Sequence, residues 1–90
     1  MLNQILEIQQ IWKEGDAEKA LSLLNDPLLN EEAEAAFLAG EIEYSRQNWG
    51  AALNFFRRCL QINPEMFAAQ TYVDLILNIL GFFHTDQFNP

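Results

Sequence analysis

The chain has 90 residues, half of them hydrophobic, and carries a formal net charge of −8. Its length predicts one domain with a modest core, and its hydrophobic content excludes a disordered chain. The negative charge disfavours nucleic acids and anionic membrane surfaces as partners, because both repel an acidic surface.

The negative charge is concentrated in the first half of the chain. Residues 1–45 contain ten acidic and two basic residues, whereas residues 46–90 contain three of each. Such a surface would steer a basic partner towards it. The simpler interpretation is that the acidic residues only keep a small protein in solution.

A first pair of helices is predicted over residues 2–26. Hydrophobic residues recur at three- and four-residue steps up to Trp12, as on the buried face of a helix. Gly15 can take the left-handed conformation that ends this helix, and Asp16 can cap the next one. Pro27 then ends the second helix.

A second pair is predicted over residues 31–62. Asn30 is a good N-cap for the third helix, with Glu31 and Glu32 in its first turn, where the helix dipole favours negative charge. Asn48 is expected to cap the fourth helix. The predicted elements are all helices, which predicts an all-α fold. Because the connections are short, neighbouring helices are expected to pack antiparallel.

A terminal helix is predicted over residues 64–81, followed by a tail at 82–90. Asn63 is expected to cap this helix, with Pro64 at its first position. Gly81 is expected to end it.

The turn and second helix of the two pairs align with each other. "GDAEKALSLL" (15–24) matches "QNWGAALNFF" (47–56) at an offset of about 32 residues, close to the 34 of a tetratricopeptide repeat. Residues 33–66 resemble one complete unit of that family. The resemblance is carried by Ala39-Gly40, Trp49, Ala52, Phe56, Cys59-Leu60 and Pro64.

This resemblance implies a right-handed antiparallel array of about two units with a fifth, capping helix. Small residues at Gly40, Ala52 and Cys59 would let paired helices approach closely, and Phe56 would fill the space between them. The chain departs from the family at Glu43, where a tyrosine is usual, and in the first unit, where Glu7-Ile8 replaces the small pair. The alternative is a generic helical bundle in which small residues indicate only close packing.

No catalytic group of residues is evident, so we expect no enzyme, no cofactor and no metal site. Cys59 and His84 are too few for a zinc site, and Cys59 lies in an apolar helix as a small hydrophobe. The glutamates of the third helix, Glu31, Glu32 and Glu34, are expected to be solvated at its N-terminus. A single cysteine and the absence of a secretory signal predict a cytoplasmic protein.

The family resemblance also implies a concave groove, lined by the first helix of each pair, that holds an extended or helical peptide. The positions that carry over are Leu2, Ile5, Gln9, Trp12, Lys13, Glu34, Phe37, Glu41, Tyr44, Ser45, Thr71 and Leu75. We expect Trp12, Phe37 and Tyr44 to anchor a partner, since aromatic residues dominate binding energy; ordinary core packing is the alternative for each. Glu41 would repel a carboxylate, so an apolar or basic peptide is predicted.

The terminal helix is expected to be covered on a second side. Its polar residues fall on an arc of about 100°, leaving an apolar arc of roughly 220°, wider than one neighbouring helix requires. The tail, with Phe82, Phe83 and Phe88, could cover the excess. Otherwise a second copy or a partner would cover it; with a second copy, the chain would be a structural module that self-associates, for instance as a homodimer.

Overall fold

The computed structural model describes residues 2–81, apart from the side chains of residues 2 and 3. These residues form five α-helices and one turn of 3₁₀ helix, with no strand among them. In chain order the elements are α1 (Leu2–Lys13), α2 (Ala17–Leu24), the 3₁₀ turn (Pro27–Leu29), α3 (Ala33–Ser45), α4 (Trp49–Ile62) and α5 (Phe67–Ile79). The all-α prediction is confirmed. The predicted tail at 82–90 lies outside the described residues.

Three of the predicted helix boundaries are made by the expected chemistry. Gly15 adopts a positive φ of 101° after α1, and Gly81 adopts one of 82° after α5. The Asp16 carboxylate accepts a hydrogen bond of 3.1 Å from the backbone N–H of Lys19, as an N-cap should.

The predicted start of α3 is wrong by two residues. Asn30 ends the 3₁₀ turn, because its N–H donates to the carbonyl of Pro27. Glu32 occupies the N-cap position, so Glu31 precedes the helix and only Glu34 lies in its first turn. The turn continues past Asn30, because the N–H of Glu32 donates to the carbonyl of Leu29, and this delays the start of α3.

The predicted start of α5 is wrong by three residues. Asn63 is the C-cap of α4, and its side chain accepts a 3.2 Å hydrogen bond from the N–H of Glu65. This local turn holds Asn63-Pro64-Glu65 as a connection, and α5 begins after Met66. Asn48 does precede α4, but its amide donates to Glu43 instead of capping the helix.

The core consists of two clusters that share α3. The first joins α1, α2 and the 3₁₀ turn to one side of α3, and the second joins α4 and α5 to the other. Ile8, which replaces a small residue of the family pattern, is buried in the first cluster opposite small Ala20, Ala35 and Ala39. The bulky residue is therefore accommodated by alanines on the neighbouring helices.

Helices α3 and α4 are in close contact at Gly40. A methyl group added at Gly40 would lie 2.8 Å from ring carbons of Phe56, closer than packed atoms tolerate. Phe56 is fully buried, as are Ala52 and Cys59 on the same helix. The expected alternation of small and large residues at this interface is confirmed.

The odd-numbered helices lie beside one another, since α3 contacts α1 on one side and α5 on the other. Helix α2 packs against α1 and α3, and α4 packs against α3 and α5. The principal dimensions are 49 × 26 × 18 Å. Helix α3 is therefore covered on both sides, whereas α5 lies at one end of the described helices and keeps an exposed side.

Candidate interaction groove

An open cleft lies between α3 and α5. It has a volume of about 530 Å³ and is lined by Tyr44, Ala68, Thr71, Tyr72 and Leu75; we call it the α3/α5 cleft. Thr71 and Leu75 are exposed, and Leu75 retains 45% of its accessible surface. The hydroxyl of Thr71 donates to the carbonyl of Phe67, so the cleft presents a largely apolar surface.

Five aromatic rings form the wall behind this cleft. Tyr72 stacks on the buried ring of Phe56, with centroids 4.4 Å apart, and meets Tyr44 edge to face at 5.0 Å. Phe37 contacts both Phe56 and Tyr72, and Trp49 contacts Tyr44. Edge-to-face and stacked rings each contribute about 0.5–1.5 kcal/mol beyond their area burial, so these contacts stabilise the arrangement of the rings.

One carboxylate stands at the edge of the wall. The hydroxyl of Tyr72 donates a 3.2 Å hydrogen bond to Glu41, one turn before Tyr44 on α3. Partial burial raises the pKa of Glu41, and the hydrogen bond from Tyr72 only partly offsets this. Burial and the nearby Glu41 carboxylate also raise the pKa of Tyr72.

Five of the residues predicted for the groove meet at or beside the cleft. Tyr44, Thr71 and Leu75 line it, and Glu41 reaches it through Tyr72. Phe37 is half-buried and packs against Tyr72 and Phe56, so it supports the wall from behind.

The residues predicted on α1 are not brought to the cleft. Ile5 is only 7% exposed and belongs to the first core cluster. Trp12 is half-buried and packs against the same cluster. Gln9 is also half-buried and lines neither the α3/α5 cleft nor the cavity between α2, α3 and α4. The side chain of Leu2 lies outside the described residues.

Two lining residues were missed from the sequence. Ala68 and Tyr72 lie on the same face of α5 as Thr71 and Leu75, which the family register did select. The three- and four-residue spacing of these positions could have identified them. The bond between Tyr72 and Glu41 spans 31 positions and has no sequence signal.

Cys59 has the surroundings of a buried structural thiol. Cys59 is fully buried, its Sγ lies 2.8 Å from the Sδ of Met66, and burial together with the charge of Glu34 raises its pKa to about 11. Within residues 2–81 no group of three or more His, Cys, Asp or Glu side chains could hold a metal ion. His84 lies outside the described residues.

A second cavity, of about 380 Å³, opens between α2, α3 and α4. Helix α2 has 8 residues whereas α4 has 14, so the end of α2 leaves α3 uncovered there. Buried alanines of α3 form the floor, and Arg58 closes one side by donating to the carbonyl of Asn30 at 2.7 Å.

No family model, no curated protein and no solved structure matches this chain. Among the described helices, none has the length and apolar character needed to cross a bilayer.

Proposed function

We propose that the chain is a non-catalytic protein–protein interaction module whose α3/α5 cleft anchors a peptide or helix of a partner, in the manner of a tetratricopeptide-like array. The observation that carries the proposal is the cleft itself: exposed apolar side chains stand in front of a fixed aromatic wall. An apolar anchor inserted beside such a wall is the usual centre of a binding interface.

The tetratricopeptide assignment rests on the residue pattern of 33–66 together with the close approach of α3 and α4 at Gly40. It also fits the neighbouring positions of the odd-numbered helices, which would line the concave side. We place the fifth helix at the end of the array as a cap.

The experiment is a selection from a phage-displayed library of random dodecapeptides on the immobilised chain. Leu75→Glu places a charge in the cleft, and Leu28→Glu makes the same change at a position 74% exposed on the 3₁₀ turn, outside the cleft. We expect the selected peptides to bind wild type and Leu28→Glu but not Leu75→Glu. Peptides that bind all three proteins equally, or no enrichment at all, would contradict the proposal.

One observation favours a second candidate, self-association through α5. Leu75, Ile79 and Leu80 remain 45%, 47% and 39% exposed on this helix, and a continuous apolar patch promotes association. Light scattering over a dilution series separates the two. A dimer that Leu75→Glu dissociates would assign the cleft to a second copy of the chain.

A further inference from the structure

Glu41 is a carboxylate beside the α3/α5 cleft that has no cation as its partner among the described residues. Its carboxylate is half-buried and its hydrogen-bond partner is the phenol of Tyr72. Within the described residues it forms no ion pair with a lysine or arginine; the ion pair found there joins Arg46 to Glu18, 4.0 Å apart. A carboxylate partly removed from water and without a cation is costly to the free protein.

Two of the three arginines on or next to α3 and α4 are engaged elsewhere, and the third, Arg57, is exposed and forms no ion pair with Glu41 among the described residues. Arg46 reaches Glu18 on α2, and Arg58 donates to the carbonyl of Asn30. Both contacts lie on the side of α3 that faces α2. Glu34 lies two turns before Glu41 on α3 and is exposed, so it adds a second negative charge along this helix.

Tyr72 connects this charge to the apolar cleft. Its ring lines the cleft beside Leu75, and its hydroxyl binds the carboxylate of Glu41. Glu41 and Tyr44 are one helical turn apart, about 5 Å along the axis of α3. A partner can span that distance with side chains one turn apart on a helix, or two residues apart in an extended segment.

We propose that the α3/α5 cleft and Glu41 together select a peptide with an apolar side chain and a lysine or arginine about 5–7 Å apart along its axis. The apolar side chain fills the cleft, and the cation pairs with Glu41. This inference rests on the proposed function and adds the chemistry of the partner to it. The cation bonds to a carboxylate already held in place by the hydroxyl of Tyr72.

The test uses the same dodecapeptide library, selected in parallel on wild type, Glu41→Gln and Glu18→Gln. Glutamine keeps the shape of the side chain and an oxygen that can accept from Tyr72, so the fold is retained. Glu18→Gln removes the same charge from an exposed position on α2. We expect lysine or arginine near an apolar residue after selection on wild type and on Glu18→Gln, and apolar enrichment alone on Glu41→Gln.

A double-mutant cycle then assigns the contact. For one selected peptide, replacing its basic residue by methionine should weaken binding to wild type about tenfold or more, as expected for a charged hydrogen bond. The same replacement should change binding to Glu41→Gln by less than about twofold, because the contact is already lost. This readout comes from the peptide and does not depend on the stability of the variant.

The outcomes separate the two proposals. Selected peptides with an apolar residue but no basic one, or an equal loss on wild type and Glu41→Gln, would overturn the pairing with Glu41 and leave the cleft as an apolar anchor. An equal loss would mean that the net charge of the whole chain attracts the cation. Failure to select any peptide that Leu75→Glu excludes would overturn the proposed function, and this inference with it.

Discussion

Replacing Gly40 by alanine tests whether the contact between α3 and α4 is as tight as the structure shows. The new methyl group would lie 2.8 Å from Cε1 and Cζ of Phe56 and 3.0 Å from Cδ1. The ring cannot retreat, because it is fully buried, stacks on Tyr72 at 4.4 Å and meets the edge of Phe37. Overpacking of this kind costs about 1–3 kcal/mol.

Helix propensity acts in the opposite direction. Alanine is better than glycine in a helix interior by about 1 kcal/mol, so the net destabilisation by Gly40→Ala is about 0–2 kcal/mol. Gly50 supplies the matched control: it also lies in a helix, α4, but an added methyl group meets nothing within 4 Å. Gly50→Ala should therefore stabilise the protein by up to about 1 kcal/mol.

The measurement is urea unfolding followed by far-UV circular dichroism, with the free energy of unfolding taken by linear extrapolation. We expect the two variants to differ by about 1–3 kcal/mol, with Gly40→Ala the less stable. If Gly40→Ala gains as much stability as Gly50→Ala, the Phe56 ring yields to the methyl group. The close approach of α3 and α4 would then not be what requires a glycine.

Three further predictions concern single side chains. Glu41→Gln should be more stable than wild type at neutral pH, because the raised pKa of Glu41 means that folding favours its protonated form. The stabilisation of wild type by protonated Glu41 is present at low pH and lost as the pH rises through the folded pKa. The difference in stability between the two proteins should therefore close below the ordinary pKa of 4.5. Thermal unfolding at several pH values measures it, and a less stable variant at neutral pH would show that the carboxylate is structural. Asp16→Ala should cost about 1 kcal/mol in urea unfolding through loss of the cap on α2, and an unchanged midpoint would mean that the bond to Lys19 adds nothing. Cys59, buried and with a pKa of about 11, should react with a thiol reagent at about pH 8 only after urea unfolds the chain; rapid reaction of the native protein would contradict its burial.

The helices could be predicted because their signals are local. Repeated hydrophobic residues at three- and four-residue steps mark the helices, and Gly15, Asp16 and Gly81 mark ends that need only their own backbone conformation or one hydrogen bond. Such features depend on a few neighbouring residues, so the sequence contains them.

The starts of α3 and α5 could not be predicted in the same way. Asparagine forms a cap or a turn with the same side-chain chemistry, and which one forms depends on what the next residues pack against. At Asn63 the turn wins, and at Asn30 the preceding 3₁₀ turn fixes the conformation. Both errors placed the helix two or three residues too early.

The cleft could be predicted only in part. Tyr44 and Thr71 follow from the repeat register, since each occupies one position of a regular helix. Ile5 and Trp12 follow from it equally well, but in the structure both pack in the first core cluster with α2 and α3. Which predicted positions are buried depends on how far α2 extends and on residues far along the chain, such as Tyr72. The spacing of residues along α1 contains neither.

Helix α5 has one face in the core and exposed apolar residues on another, and the sequence pattern did not separate the two. Ala69, Val73 and Ile76 are buried against the core that α4 completes, and Tyr72 is directed to α3. The rest of its surface divides into a polar side, with the hydrogen-bonded pair of Gln70 and Asp74, and an apolar side with Leu75 and Ile79. A helix that only capped the array would be polar on both exposed sides. The apolar side adjoins Tyr44, so its exposure coincides with the cleft, and this coincidence favours a partner at the cleft over a purely structural α5.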